Sequence, residues 1–305
     1  MDALKRRLSG FESEDGRRRG LAFRPRPSDV LVTTTPKAGT TLMQQLCHQL
    51  RAGGDESFGE ISDEGVVPWI ELAADCGIDL EAPQPAEPRI FKTHCWQPHC
   101  PKGGKNIVVV RDPVACASSF YHFFEGWFFS PGEVGIDEFV RDFVLARGAP
   151  ESDMQNASYW HHLISWWPRR AREDVLLVSY EGLVADREGH VRRVAEFILP
   201  KEVLADQEEV ERRVAAATEM TSLEWMQEHP TMFDEHITKL KRNASCGLSP
   251  DAGFGGGKVR AKGAKRAAMS AEVLEEVHAK WREVVEPATG LASYEELLQA
   301  LASGA

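Results

Sequence analysis

The sequence lacks any long hydrophobic run. No stretch approaches the ~20 consecutive apolar residues that a membrane-spanning helix needs. The first residues, Met1 to Arg7, are rich in charge, and no apolar segment of the kind found in a signal peptide follows them. These absences weigh against a membrane-anchored or secreted protein, and we expect no membrane partner.

Positive charge is also scarce. The 305 residues include 36 Lys and Arg against 47 Asp and Glu, which gives a net charge of −11. Proteins that bind nucleic acid by general electrostatic attraction depend on an excess of positive charge. The composition therefore argues against a nucleic-acid partner. Any anion site must be built from Lys and Arg side chains that the fold brings together locally.

Cysteine is infrequent and shows no pairing pattern. The six cysteines include no Cys-x-x-Cys pair, so nothing in their spacing suggests secretion. Reduced thiols are the expected state of such residues in the cytosol. The sequence therefore predicts a cytoplasmic protein.

The chain does contain enough apolar material for a sizeable core. Hydrophobic residues make up 42% of it, and its length fits one large α/β domain. Residues 1–28 are charged and contain an arginine run, Arg17 to Arg19, which we expect on a solvated surface. We therefore predict an N-terminal extension at 1–28 and a single domain at 29–305.

The most informative stretch lies at residues 29–46. A short apolar and β-branched run predicts a buried strand, Pro36 and Gly39 mark a tight loop, and apolar residues at helical spacing follow. Such a strand-loop-helix directs backbone N–H groups and the positive end of a helix dipole toward an anion. Gly39 lets the backbone come close to that anion. The stretch therefore predicts a phosphate cradle.

The side chains of this loop suit a phosphate as well. Lys37 supplies a mobile positive charge, and Thr40 and Thr41 supply hydroxyl donors. The loop is not a standard nucleotide P-loop, in which the lysine follows the second glycine. Here the lysine comes two residues before the only glycine. On this stretch alone, an ordinary strand-to-helix turn with polar residues stays an alternative.

A second stretch predicts a short strand that delivers Lys92 and His94 at its end. Residues two apart in a strand point the same way, and α/β folds place ligands at the ends of parallel strands. We therefore expect Lys92 and His94 to share a functional face. A zinc site of His94, Cys95, His99 and Cys100 is an alternative, although their spacing matches no standard zinc pattern.

A third stretch predicts a buried strand at 107–110 that ends at Arg111. Asp112 and Pro113 then open a helix, because proline is tolerated in the first turn, and Ser119 lies about two turns into it. An arginine presents a planar fork to phosphate oxygens, and a serine adds a donor. The pair is a candidate phosphate site; a helix-start arginine that bridges to an acid is the alternative.

Aromatic side chains crowd residues 120–129. They are more numerous than one helix face can bury, so we expect part of them in the core and part around an apolar ligand pocket. The candidate pocket residues are Trp69, Phe120, Phe123, Phe124 and Trp127.

The loop, the Lys-Thr-His triplet and the Arg-x7-Ser pair, in this order, resemble the cytosolic-type sulfotransferases. These enzymes use 3′-phosphoadenosine 5′-phosphosulfate (PAPS) and release 3′-phosphoadenosine 5′-phosphate (PAP). The resemblance runs through most of the chain and includes a strand that ends in Tyr180. It implies a single α/β domain, with a central parallel sheet flanked by helices and a P-loop-like strand-loop-helix that binds the phosphosulfate.

The resemblance implies in-line transfer of a sulfuryl group from PAPS to an acceptor hydroxyl or amine. His94 would be the general base, a task for which the ordinary histidine pKa of about 6.5 is suitable. Lys37 would offset charge on the leaving 5′-phosphate, and Lys92 would stabilise the transferring sulfuryl oxygens. No metal is then required. The residues implied at the cofactor are Lys37, Ala38, Gly39, Thr40, Thr41, Leu42, Arg111, Ser119, Tyr180, Thr221, Leu223, Met226, Lys258 and Arg260.

The chain departs from the family pattern in three places. Leu223 replaces the aromatic residue that stacks on adenine, and stacking on leucine is weaker. The basic loop that grips the 3′-phosphate is degraded, with Lys258 and Arg260 in the matching positions. The family's dimerisation motif is absent, so no dimer is assumed and the oligomeric state stays open.

Two other function classes compete with this interpretation. A P-loop-like small-molecule kinase would use ATP and Mg²⁺ and would need carboxylates to hold the ion. A catalytically idle nucleotide-binding partner protein would not need both Lys92 and His94. For a sulfotransferase, the aromatic residues suggest a small apolar or aromatic acceptor such as a phenol or an alcohol, although a fold does not choose its substrate.

Overall fold

Four parallel strands form the sheet in the part of the chain that the structure describes. The structure is a computed structural model and describes residues 1–62, 65–254, 259 and 267–303. The strands are β1 (Val30–Thr34), β2 (Ile90–Thr93), β3 (Lys105–Val110) and β4 (Val175–Ser179). Their order in the sheet is β2-β1-β3-β4, and each pairing is parallel. The predicted α/β fold with a central parallel sheet is confirmed.

Helices pack on both faces of this sheet. The α-helices are α1 (Asp2–Ser9), α2 (Glu14–Leu21), α3 (Thr40–Ala52), α4 (Pro113–Phe124), α5 (Ile136–Phe139), α6 (Tyr159–Trp166), α7 (Tyr180–Ala185), α8 (Arg187–Ile198), α9 (Lys201–Leu204), α10 (Gln207–Met220), α11 (Leu223–Glu228), α12 (His236–Arg242), α13 (Ala271–Val284), α14 (Glu286–Thr289) and α15 (Tyr294–Ala302). A π-helix spans Val140–Leu145, and 3₁₀ turns span Ala74–Cys76, Trp167–Arg169 and Pro230–Phe233. Across the described residues, no helix is both long enough and apolar enough to cross a membrane.

The strands contribute side chains to two hydrophobic cores, because successive side chains of a strand point to opposite faces of the sheet. Val30, Val32 and Ile107 belong to the core covered by α3, α8 and α10. Leu31 and Val108 belong to the other core, which holds the aromatic cluster and residues of α4, α6 and α13. Burial on both faces explains why the strands are nearly continuous apolar runs in the sequence.

The N-terminal residues 1–28 pack against the rest of the chain through α1 and α2. Leu4 is fully buried in the aromatic core. Arg17 is 2% exposed, and its guanidinium donates to Glu12 and to the side-chain oxygen of Asn156. The expectation of a solvated arginine run is therefore wrong for Arg17. A buried guanidinium needs such partners because desolvation of an unpaired charge is costly.

A buried ion pair joins the starts of β1 and β2. Asp29 precedes β1 and Arg89 precedes β2, and Nη2 of Arg89 lies 2.6 Å from Oδ2 of Asp29 while Nε donates to Oδ1 at 3.1 Å. The two side chains are 0% and 1% exposed. The contact is bidentate, so it fixes the relative position of the two strands as well as neutralising both charges.

We predict that Asp29→Asn lowers the free energy of unfolding by about 3 kcal/mol or more, because removal of one partner leaves the other charge buried and uncompensated. The measurement is urea unfolding of the variant and the unaltered protein. Asp174→Asn is the matched control, since its pair with Arg172 is 44% and 54% exposed and should contribute less than about 1 kcal/mol. Equal effects of the two substitutions would contradict the structural role of the buried pair.

Candidate active site

The loop between β1 and α3 has the geometry of an anion cradle. Helix α3 begins at Thr40, and its N-cap Gly39 has φ +107°. Lys37 has φ +71°, a left-handed conformation that is uncommon for a residue with a side chain. The backbone bends at these two left-handed residues, and the wall of a cavity includes Lys37, Gly39, Thr40 and Thr41. The N-terminus of a 13-residue helix at this position favours a bound anion.

Glycine is required at position 39 for a second reason. A Cβ there would lie 2.8 Å from Cδ2 of Tyr180, in addition to adopting an unfavourable φ. Tyr180 follows the last residue of β4 and begins α7. The loop between β1 and α3 therefore packs directly on Tyr180, the residue that the resemblance implies at the cofactor.

Arg111 leaves the end of β3 and contacts both of these features. Its guanidinium lies 4.3 Å from the ring centroid of Tyr180, and its Nη1 donates to the carbonyl oxygen of Lys37 at 3.1 Å. Its buried Nε has no hydrogen-bond partner among the described residues. A buried donor without an acceptor is costly, so this N–H is suited to an oxygen of a ligand. Ser119, two turns into α4, lines the same cavity.

His94 follows β2 and is held in one orientation. Its Nδ1 lies 2.8 Å from the carbonyl oxygen of Thr34, and its backbone N–H donates to Oε1 of Glu71 at 2.7 Å. A carbonyl oxygen can only accept, so the neutral ring carries its proton on Nδ1 and the basic lone pair is on Nε2. The edge of the ring packs against Trp69, with 4.9 Å between centroids. The backbone carbonyl of Thr34 and the ring of Trp69 therefore fix the orientation of the imidazole.

Lys92 lies on the same cavity wall but is not isolated there. Its Nζ forms a buried ion pair with Oε1 of Glu235 at 2.8 Å, and both side chains are 3% exposed. The ammonium also lies 3.9 Å from the ring centroid of Trp69. Lys92 and His94 therefore share a face, as the sequence predicts, and both contact Trp69.

Two further contacts organise the floor of the loop. The hydroxyls of Thr34 and Thr40 are 2.6 Å apart and buried, which ties the end of β1 to the start of α3. Nζ of Lys37 lies 3.9 Å from the ring centroid of Phe123. The lysine therefore bridges the phosphate loop and the aromatic cluster.

These residues line one continuous cavity of about 760 Å³, within the range usual for ligand sites. The predicted residues on its wall are Lys37, Gly39, Thr40, Thr41, Leu42, Lys92, His94, Arg111, Ser119, Tyr180, Thr221, Leu223, Met226, Trp69, Phe120, Phe123, Phe124 and Trp127. The structure thus brings together the predicted donor residues and the predicted aromatic pocket residues.

Of the predicted cofactor residues that the structure describes, Ala38 is not on this wall. Ala38 is fully buried, and its N–H donates to the carbonyl oxygen of Thr35 at 3.3 Å, so that N–H is engaged within the loop. Lys258 and Arg260 lie outside the described residues. The hydroxyl of Thr221 is also engaged, because it donates to the carbonyl oxygen of Ala217 at 2.6 Å.

The alternative zinc site at residues 94–100 is not formed. Among the described residues, only Glu60, Asp234 and His236 bring three potential ligand atoms within 4.8 Å of one another. Sγ of Cys95 donates to Oε1 of Glu71 at 3.5 Å, while Sγ of Cys100 donates to Oδ1 of Asn106 at 3.5 Å. The cysteines point to different partners, so they do not converge with His94 on one ion.

Several charged residues of the cavity were not predicted from the sequence, and Glu235 and Arg147 are two of them. Glu235 is the left-handed residue, φ +58°, that precedes α12, and Arg147 follows the π-helix. Neither belongs to a motif with a defined spacing, so the sequence offers no signal that separates them from surface residues. Phe11 contacts Trp69 at 5.8 Å between centroids, although it lies in residues 1–28, for which the sequence predicts an extension without a role in the site.

Comparisons with known proteins identify the family. The family model described as "Sulfotransferase domain" matches residues 27–287. Human sulfotransferase 1C2 is 26% identical over 248 residues, which cover 74% of this chain and 78% of that protein. Mouse sulfotransferase 1B1 is 28% identical over 229 residues, which cover 70% of this chain and 71% of that protein.

Solved structures show the same fold. The crystal structure of retinol dehydratase in a complex with retinol and PAP has a TM-score of 0.60 at 18% identity, and the match covers 91% of this chain and 86% of that one. Mouse sulfotransferase SULT7A1 complexed with PAP has a TM-score of 0.51 at 19% identity, covering 71% and 72%. The kinase alternative is not supported. The chain belongs to the sulfotransferase family and is a sulfuryl-transferring enzyme.

Proposed function

We propose that this sulfotransferase takes the sulfuryl group from PAPS and transfers it to a hydroxyl or amine of a small aromatic acceptor, with His94 as the general base. The observation that carries the proposal is the bond between Nδ1 of His94 and the carbonyl oxygen of Thr34. It leaves Nε2 as the basic nitrogen of a residue on the same cavity wall as the phosphate loop. Base and donor cradle are therefore neighbours.

The donor would occupy the part of the cavity between the loop and β3. Backbone N–H groups at Gly39 to Thr41 and the dipole of α3 would hold the 5′-phosphosulfate. Arg111, with its unpaired Nε, and Ser119 would hold the 3′-phosphate. The adenine would pack on the aliphatic side chains of Leu223 and Met226 and beside Tyr180.

In the transfer step, the acceptor oxygen attacks sulfur while the bond from sulfur to the phosphate oxygen breaks. The electron pair of that bond leaves with the phosphate, and the acceptor proton passes to Nε2 of His94. Lys37 would offset charge on the leaving phosphate. Lys92, held in place by Glu235, would stabilise the sulfuryl oxygens. We infer that these groups suffice without a metal.

The acceptor would lie among the aromatic residues. Trp69, Phe120, Phe123, Phe124 and Trp127 line the cavity, and Trp69 contacts the rings of both His94 and Phe11. Apolar walls around a base exclude water and favour an aromatic alcohol over a highly hydrated acceptor. The cytoplasmic location stays a prediction, and the oligomeric state stays open.

The kinase alternative needs a carboxylate that binds Mg²⁺, and the carboxylate of Asp112 is engaged in another contact. This residue follows Arg111, but its Oδ1 accepts the N–H of Ala115 at 2.6 Å as the N-cap of α4. Burial raises the pKa of Asp112, only partly offset by that hydrogen bond. Its carboxylate is therefore committed to the helix start.

We predict that PAP binds at least about tenfold more tightly than AMP, which lacks the 3′-phosphate, and that Arg111→Gln removes most of this difference. A charge-assisted hydrogen bond accounts for a factor of that size. The measurement is thermal unfolding over a range of nucleotide concentrations, in which PAP at ~100 times its dissociation constant adds about 2.7 kcal/mol.

Arg170→Gln is the matched control for Arg111→Gln. Its guanidinium also lies 4.3 Å from an aromatic centroid, that of Trp167, but it is not part of the cavity wall. It should leave the preference for PAP unchanged. Equal binding of PAP and AMP by the unaltered protein, or stabilisation by ATP with Mg²⁺ alone, would rule out the proposed donor.

We predict that His94→Asn lowers the turnover number by a factor of about 10² to 10⁴ and leaves PAP binding intact. Asparagine can still donate to the carbonyl oxygen of Thr34 but has no basic nitrogen, and general base catalysis contributes a factor of this size. His190→Asn is the control, because Nδ1 of His190 contacts the carbonyl oxygen of Asp186 at the same distance of 2.8 Å. Full activity of His94→Asn would refute the role of His94.

A further inference from the structure

The cavity wall carries more positive charge than the proposed donor uses. Among the described residues, its lysines and arginines are Lys37, Lys92, Arg111, Arg147 and Arg187. Arg187 is the first residue of α8, and α8 follows α7, the helix that begins at Tyr180. Arg147 is different, because its immediate surroundings are aromatic and it has no part in the proposed transfer.

Arg147 is held at the aromatic wall by the local fold. It comes two residues after the π-helix at Val140–Leu145. The loop that follows Arg147 is closed by a hydrogen bond, in which the N–H of Ser158 donates to the carbonyl oxygen of Gly148 at 2.9 Å. The guanidinium lies 4.6 Å from the ring centroid of Phe143. The positive charge is therefore fixed over a ring of the cavity.

A continuous row of rings connects Arg147 to His94. The successive centroid separations are 5.7 Å from Phe143 to Phe124, 4.8 Å to Phe128, 6.0 Å to Phe11, 5.8 Å to Trp69 and 4.9 Å to His94. Every one of these rings lines the cavity. The base and the guanidinium therefore stand at two ends of one aromatic surface.

Arg147 has no counter-charge within the described part of the chain. It makes no hydrogen bond or ion pair there, while the acids of the cavity are engaged elsewhere: Glu12 with Arg17, Glu125 with His122 and Glu235 with Lys92. Burial lowers the pKa of Arg147. Burial also raises the pKa of Glu12 to about 7, although the charge of Arg17 opposes this shift. An uncompensated cation in an apolar cavity favours an anionic ligand.

We propose that the acceptor is an aromatic hydroxy acid whose hydroxyl reaches His94 and whose carboxylate pairs with the guanidinium of Arg147. This inference rests on the proposed function, because it names the acceptor class of the same site. The rings between the two ends bind the aromatic part of the acceptor. Arg147 is then a specificity residue, since it contacts the acceptor far from the reacting oxygen.

The test compares phenols that share a two-carbon chain and carry an anionic, a neutral or a cationic terminal group. 3-(4-Hydroxyphenyl)propanoate, its primary amide and 4-hydroxyphenethylamine are assayed with PAPS, together with longer homologues of the acid, and PAP release is measured. We expect kcat/KM for the best acid to exceed that for its amide by about tenfold or more. Arg147→Leu should abolish this preference by lowering kcat/KM for the acid alone, and Arg147→Glu should favour the amine.

A second readout does not depend on turnover. Isothermal titration of the acid into protein saturated with PAP should show binding that weakens about tenfold in Arg147→Leu. Arg170→Leu is the control, because Arg170 also lies over an aromatic ring, that of Trp167, outside the cavity wall. It should change neither the acid preference nor the binding.

The outcomes separate the assignment of Arg147 from the proposed function. Turnover of the amide as fast as the acid in the unaltered protein would overturn the inference and leave the proposed function standing. A loss of the preference for PAP over AMP in Arg147→Leu would overturn it too, by making Arg147 a nucleotide contact. Binding of the acid that depends on Arg147, without PAPS-dependent product from any acceptor, would support the anion site and refute the proposed function.

Discussion

The parallel pairing of β1 with β2 on one side and with β3 on the other is the constraint on which the site depends. In this register Thr33 faces Thr93 and Thr34 faces Val109. The chain that leaves β1 as the phosphate loop therefore emerges beside His94 and Arg111, and β4 adds Tyr180 at the same edge. Functional groups far apart in the sequence lie close together because the carboxyl-terminal ends of all four parallel strands are at the same end of the sheet.

The charges at this edge run against the balance of the whole chain. The protein has a net charge of −11, yet five lysines and arginines line its cavity among the described residues. One of them, Lys92, is paired with Glu235 out of contact with solvent. Such a pair adds little to stability, because desolvation opposes the attraction. The pair instead fixes a position: it holds the Lys92 ammonium over the ring of Trp69, which also contacts His94, before any substrate arrives.

The parts of the fold and site that the sequence predicted are those with local causes. Buried strands, the turn at Gly39 and the cap at Asp112 each follow from a few adjacent residues, and the structure has all three. Glu235 and Arg147 could not be predicted, because their place in the site depends on tertiary contacts: Glu235 pairs with Lys92, and Arg147 lies over Phe143. The burial of Arg17 has a cause of the same kind: an arginine run indicates solvent exposure unless the fold supplies buried acceptors.

A crystal structure of the complex with PAP would test the central claim, that one sheet edge holds the sulfuryl donor and the base together. We expect the 5′-phosphate within about 3 Å of the N–H groups at Gly39 to Thr41 and the 3′-phosphate in contact with Arg111 and Ser119. We expect His94 to face the 5′-phosphate across the transfer path. A nucleotide bound in the reverse orientation, or away from this edge, would contradict it.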